Sequence, residues 1–345
     1  QESWGVYVSA EADLTDTLTV GAAGRYENYN TFGGATVGKV NAIWKLTPAF
    51  AVRGTVGTGF HAPSPGQSST QIVSTTFIAG DQVQVGTYPV SSAIAQYYGA
   101  VPLTPEESTN FGLGVVFDPM PGLTLTVDAY QIDVRDRISI TSTFDVTAAD
   151  VAALPVLATV GAGGSVQYFT NGFDTRTRGV DVVGTYRMQM MGNPLNLTLA
   201  YNYNENEVTD YDPVAIGADR IFDIANFAPK HRLTASGAWS IEGFSLTARG
   251  NFYSDWATEQ DYPGDRFGSE FTADLDVSYT IADHYTLSVG ATNLFNNHPD
   301  RISPTAANPI YVLTGGTADG QVYPRSGGPF GINGGFWYVR TRVGF

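Results

Sequence analysis

The side chains able to do chemistry in this chain are scattered. Its four histidines, His61, His231, His284 and His298, stand far apart in sequence, on differing strand ends or loops. The H-E-x-x-H spacing that puts two zinc ligands on one helix face does not occur, and neither does G-x-S-x-G or a glycine-rich phosphate loop. Zero cysteines exclude thiolate metal sites and a disulfide framework. Asp210, Asp212, Asp261 and Asp265 carry the oxygen ligands calcium takes, yet acids in loops are far more often solvated. Tyr97, Tyr98, Tyr262, Phe267 and Tyr311 have rings that would stack on a flat solute or on neighbouring loops. The expectation is a non-enzyme with no catalytic residues, no metal, no cofactor and no substrate-binding residue assigned.

These residues are positioned by strands. In 271–281, Phe271, Ala273, Leu275, Val277, Tyr279 and Ile281 alternate with Thr272, Asp274, Asp276, Ser278 and Thr280. Only a strand separates odd from even positions in this way. The same pattern sets Leu195, Leu197, Leu199, Tyr201 and Tyr203 against Asn196, Thr198, Ala200, Asn202 and Asn204. About thirteen such segments are legible: 3–14, 17–28, 36–46, 49–60, 108–118, 123–138, 177–190, 195–208, 230–240, 243–256, 270–281, 284–295 and 336–345. In 123–138, Tyr130 and Ile132 fall out of phase, which a bulge or a strand end clear of lipid would explain.

Connections alternate between tight turns and long loops, the latter near 61–107, 140–176, 209–229, 257–269 and 296–335, with 29–35 the short exception. Strict interleaving places every long loop at one end of the strand array, as in outer-membrane barrels. No apolar run reaches the ~20 residues of a membrane-spanning helix. Charged residues are only 15%, and a net charge of -15 without Lys/Arg clusters argues against nucleic acid. The fold class expected is all-β, an antiparallel transmembrane β-barrel. Arg340 and Arg342 alternate with Trp337, Val339, Thr341 and Val343 on the last strand, which is expected to descend into the periplasm. Each arginine would cost ~2–4 kcal/mol in lipid, so both belong inside. Arg53, Arg187 and Arg249 share that inward expectation, as partners for lumen acids such as Asp274 and Asp276, for acids of a plug, or for an anionic ligand. Trp4, Tyr7, Trp239, Phe252, Trp256, Tyr279, Tyr285, Trp337 and Phe345 are expected in interfacial girdles. In one loop, Thr147-Ala148-Ala149-Asp150 reads as a capping box opening a short helix.

Several segments resemble the C-terminal half of TonB-dependent receptors. They are Gly57-Thr58-Gly59-Phe60-His61-Ala62-Pro63-Ser64, with His61 where that family has arginine, and Leu103-Thr104-Pro105-Glu106-Glu107-Ser108-Thr109-Asn110. Tyr168-Phe169-Thr170-Asn171, Asp174-Thr175-Arg176-Thr177-Arg178-Gly179-Val180-Asp181 and Asn293-Leu294-Phe295-Asn296 follow in the family's order. The resemblance covers essentially all of residues 1–345 and implies the C-terminal part of a barrel of about 22 strands. The plug domain and energy-coupling box of that family are not recognised in these residues. It further implies active import of a scarce solute (siderophore, cobalamin or oligosaccharide) across a Gram-negative outer membrane. The partners implied are TonB with its inner-membrane energising complex, reached through the plug, and the barrel-assembly machinery. Lipid bilayer, lipopolysaccharide and an extracellular small-molecule ligand complete them. Trp337, Val339, Val343 and Phe345 resemble the signal read by that machinery. A passive porin-like channel and a structural outer-membrane component are the alternatives.

Overall fold

Thirteen strands form one antiparallel sheet in which each pairs with its neighbours in chain order. They are β1 (Ser3–Thr15), β2 (Leu18–Tyr29), β3 (Gly33–Thr47), β4 (Phe50–His61), β5 (Glu106–Met120), β6 (Leu123–Ile140), β7 (Phe169–Met190), β8 (Asn193–Tyr211), β9 (His231–Ile241), β10 (Phe244–Tyr253), β11 (Glu270–Ile281), β12 (Tyr285–Thr292) and β13 (Phe336–Val343). The computed structural model describes residues 1–344 except 79–80, 283, 304–321, 325–327 and 330. Among the described residues, β1 and β13 each pair on one side only, so the sheet is open.

The two faces meet different surroundings. Leu113, Leu199, Val289, Trp337 and Val339 stand on one face and are exposed, Val339 by 72%. Fully buried apolar side chains instead lie in the connections, Leu157 at 0% and Phe267 at 1%. A soluble sheet would bury its apolar face; this one presents it outward, as a wall in lipid does. The 22 residues of β7 and 19 of β8 exceed the ~9–11 that cross a bilayer, so both continue past it.

Short turns close one end of the sheet. Met191-Gly192 and Glu242-Gly243 are two-residue turns with positive φ at both positions, 53° and 76°, 43° and 83°. That pair of conformations matches the strand twist, and glycine supplies the second without strain.

At the other end the long connections fold on one another. Ile72–Ile78, Asp81–Thr87, Ser165–Gln167 and Phe144–Asp145 make a four-stranded sheet from two separate loops. Helices α2 (Ala93–Tyr97) and α3 (Ala148–Ala153) contribute to its core, and α1 (Pro65–Ser69) lies in the same connection after β4. The expected capping box opens α3, with Thr147 and Asp150 bonded reciprocally. The core of this cap contains Tyr88, Ile94, Leu157, Val160, Val166 and Tyr168. Farther along, α4 (Ala218–Asn226) lies across the top of β8, where Ile221 and Ile224 pack against Phe173, Ile216 and Val208.

Two expectations need correction. No bulge accompanies Tyr130 and Ile132: the ladder runs unbroken from Leu125 to Val134 on both sides of β6. Tyr130 lies on the polar inner face, and its hydroxyl accepts hydrogen bonds from Asn204 at 2.9 Å and Asn202 at 3.4 Å. The register shifts come higher, opposite Asn171–Thr175, next to Asp136 with φ 54°. The girdle set also loses two members. Tyr7 stands opposite Arg25, on the other face from Trp4, and Trp256 is buried at 3% in a loop cluster with Tyr262, Phe267 and Ile302.

Candidate ligand-binding mouth

Alternation turns the polar half of every strand to one side, and there the polar groups bond across strands. Arg53 grips Asp128 with two bonds, at 2.7 and 2.5 Å. Asn202 donates to Asp181 at 2.7 Å, and the Thr177 hydroxyl to Asn206 at 2.7 Å. Asp276 accepts from Tyr338 at 2.6 Å and lies 3.6 Å from Arg340. The lumen-arginine expectation divides accordingly. Arg53 and Arg340 have carboxylate partners, whereas Arg187, Arg249 and Arg342 have none in reach among the described residues. Asp274 is bonded not to an arginine but to the backbone N–H of Asn293, at 3.0 Å.

The loop aromatics mostly serve packing. Tyr98, Phe144 and Tyr168 form a continuous ring stack, with centroids 5.3 and 5.6 Å apart, and the Tyr168 hydroxyl donates to the Tyr98 carbonyl at 2.6 Å. Burial, reinforced by the Asp150 carboxylate, pushes the Tyr98 hydroxyl up to about 12. Hydrogen bonds from Thr147 and Tyr97 hold Asp150 below the usual carboxylate range. Tyr262 and Phe267 are buried against Trp256, and Tyr311 lies outside the described residues. The loop acids serve the loops themselves: Asp212 closes a local turn by accepting from the Val214 N–H at 2.9 Å, and Asp265 ties two separate loops by accepting from the Ser303 N–H at 3.0 Å.

Between these loops and the inner wall is a cavity of about 500 Å³. Arg137, Ser139 and Phe173 come from the tops of β6 and β7, Arg220, Asp223 and Phe227 from α4 and its end, and Thr258, Gln260 and Asp261 from the loop after β10. Its frame is tied by side chains. Arg220 donates to Ser139 at 3.0 Å and to Gln260 at 2.9 Å. Asp223 accepts from the Thr258 hydroxyl at 2.8 Å and the Glu259 N–H at 2.6 Å. Arg266 lies over the Phe222 ring, 4.7 Å from its centroid, and bonds Glu259 at 3.1 Å. From sequence 209–229 reads as a loop, and of the cavity lining only Asp261 stands out, as a calcium candidate. Gly217 before an acidic first turn and the spacing of Ile221 and Ile224 were the available signals.

Trp337, Val339 and Val343 project from the outward face of β13 and are exposed; Phe345 lies outside the described residues.

A wall apolar on one face and polar on the other, with the described long loops gathered over one end, is the architecture of part of an outer-membrane-type β-barrel. The family model for the TonB dependent receptor-like beta-barrel matches residues 1–294, and the chain belongs to that family. An iron-regulated outer membrane virulence protein of Vibrio cholerae serotype O1 is 23% identical over 310 residues, 85% of this chain and 40% of the relative. The chain thus spans well under half the length of the curated relatives it matches. Among solved structures, the siderophore receptor PirA from Acinetobacter baumannii superposes with a TM-score of 0.65 at 16% identity, over 99% of this chain and 46% of that one. A mutant ferric enterobactin receptor, PfeA from Pseudomonas aeruginosa, in complex with enterobactin, gives 0.69 at 15% identity, over 99% and 45%. These likenesses establish the fold.

Proposed function

We propose that residues 1–345 are the C-terminal wall and mouth of an outer-membrane receptor that imports a scarce solute, an iron chelate of the siderophore class, with energy from TonB. The observation that carries this reading is the gathering of the described long loops over one end of a polar-lined wall, in a chain of this family. The names of the relatives supply the solute class.

On this reading the loops capture a solute too large or too dilute for passive diffusion. The polar inner face gives it a wetted path, and a plug domain from another part of a longer protein blocks that path until TonB pulls on it. The apolar outer face meets lipid, and the loop end meets lipopolysaccharide. The last strand descends into the periplasm, where Trp337, Val339, Val343 and Phe345 offer the barrel-assembly machinery its signal.

Deleting the gene should slow growth under iron limitation and abolish energy-dependent uptake of a labelled ferric chelate. Uptake that survives a proton uncoupler would instead mark a passive channel. Unchanged uptake, with fixed-stoichiometry recovery among other envelope proteins, would mark a structural component.

A further inference from the structure

We propose that the turn joining β7 to β8 carries a thioether site for a soft monovalent cation, Cu(I), made by Met188, Met190 and Met191. The inference goes beyond import. It rests on the receptor reading only for the compartment, since that reading sets the short turns in the periplasm.

The chain has four methionines, and all of them lie at the short-turn end of the wall. Met188 and Met190 end β7, Met191 opens the turn that follows, and Met120 ends β5. Farther up, the outward face takes its apolar surface from residues such as Leu113, Leu199, Val289 and Val339. Anchoring in lipid asks only for hydrocarbon, and such residues supply it. A thioether adds a polarizable sulfur on a flexible arm, and sulfur of this soft, uncharged kind suits Cu(I).

The backbone keeps the three residues together. Met188 and Met190 pair with Leu195 and Asn193, so they share one face of β7, two residues apart. Met191, with φ 53°, turns the chain directly after them. The turn is fixed from two directions: the Asn193 side-chain amide donates to the Met191 carbonyl at 2.9 Å, and the Trp239 indole N–H to the Met190 carbonyl at 3.3 Å. On the other flank the Arg187 N–H donates to the Gly122 carbonyl at 2.8 Å, which seats the β5–β6 turn against β7. Met188 and Met191 are exposed, Met191 by 80%, so an arriving ion breaks no core packing. Met120 stands a full strand away, because Leu123 of β6 pairs with it on one side and with Tyr186 on the other.

Titration of the purified full-length receptor in detergent, without oxygen and with bicinchoninate competing for Cu(I), tests the site. Leucine nearly matches methionine in volume and keeps the rim apolar. The variants are therefore Met188→Leu, Met190→Leu, Met191→Leu and the three combined, with Met120→Leu as the control. The combined variant should hold one equivalent of Cu(I) fewer than the wild type. Each single variant should weaken that equivalent at least about tenfold, the scale on which even supporting residues act on metal affinity. Met120→Leu should match the wild type. The equivalent should persist in mild acid, because a thioether has no proton to lose, whereas a histidine or carboxylate site would weaken. X-ray absorption should give a sulfur-only shell in the difference between wild type and combined variant. Equal copper in those two proteins, an equal loss in Met120→Leu, or nitrogen or oxygen ligands in that difference would overturn the proposal. Should the combined variant unfold, the single variants and the acid titration decide it. Uptake of a ferric chelate, followed in parallel, should be the same in all variants. Its absence from the wild type would strike the receptor reading and leave the copper result standing.

Discussion

Tyr130 is an aromatic side chain on the polar face, and the residue that permits it is a glycine on the next strand. A Cβ built on Gly179 would come within 2.3 Å of the Tyr130 ring and 2.5 Å of the Tyr203 carbonyl oxygen. The ring therefore lies flat against the wall, with its hydroxyl directed to Asn204. Gly290 and Tyr338 repeat the arrangement on β12 and β13, with 2.3 Å to the ring and a hydroxyl bonded to Asp276. Gly179→Ala should lift Tyr130 off the wall and cost about 1–3 kcal/mol, the usual range for overpacking. A lowered thermal midpoint of the receptor in detergent would show it. Adding Tyr130→Ser should recover only the part of the loss that comes from the ring, because the Tyr203 carbonyl oxygen still lies 2.5 Å from the new Cβ. Alternation in sequence could flag Tyr130 as out of phase, but not say why. Phase depends on one strand, while the reason lies on its neighbour.

Elements were legible in proportion to how sharply their two faces differ. All thirteen wall strands follow from alternation because lipid and water demand opposite side chains on each. Alternation does not mark where a strand ends in a loop core: β10 stops at Tyr253, and Trp256, in phase with it, is buried elsewhere. The cap, whose sheet joins residues from 72–87 to residues from 144–167, has no periodic signature because its strands are short and its pairing non-local. Its ring stack does give it a pH limit. The Tyr98 hydroxyl has an ordinary value of 10.0 and is raised to about 12 in the fold. A raised value means the neutral form is favoured when folded, so stabilisation is complete below pH 10.0 and lost as pH rises toward about 12. Asp150 works in the opposite sense: held low, it stabilises α3 at neutral pH and loses that effect in acid. Proteolysis within the cap should accelerate across the alkaline window while the wall stays intact, and Tyr98→Phe should weaken that phase, the remainder coming from Tyr88 and Tyr168, which burial raises in the same core. Equal sensitivity of wild type and Tyr98→Phe would refute the assignment.

At the scale of the whole molecule the wall obeys two constraints that a soluble sheet escapes. Backbone groups on a bare strand edge in hydrocarbon cost several kcal/mol each, so in a membrane the edges of β1 and β13 would each need a pairing partner. The apolar face must meet lipid, because exposing Leu113, Leu199, Val289 and Val339 together to water would leave an aggregation surface. The second constraint can be tested one residue apart. Leu199 projects outward and is exposed, while Ala200 faces inward between Val183 and Thr234. In a barrel wall, Leu199→Lys buries a charge in lipid at a cost of ~2–4 kcal/mol near the midplane, whereas Ala200→Lys extends into the wetted interior. Folded yield in vesicles should therefore collapse for the first variant and hold for the second. A soluble sandwich burying this apolar face in a dry core would also reject Leu199→Lys, but it would keep its fold in buffer without detergent. Loss of folded wild-type protein on detergent removal, together with the opposite responses of neighbouring residues, separates the two architectures.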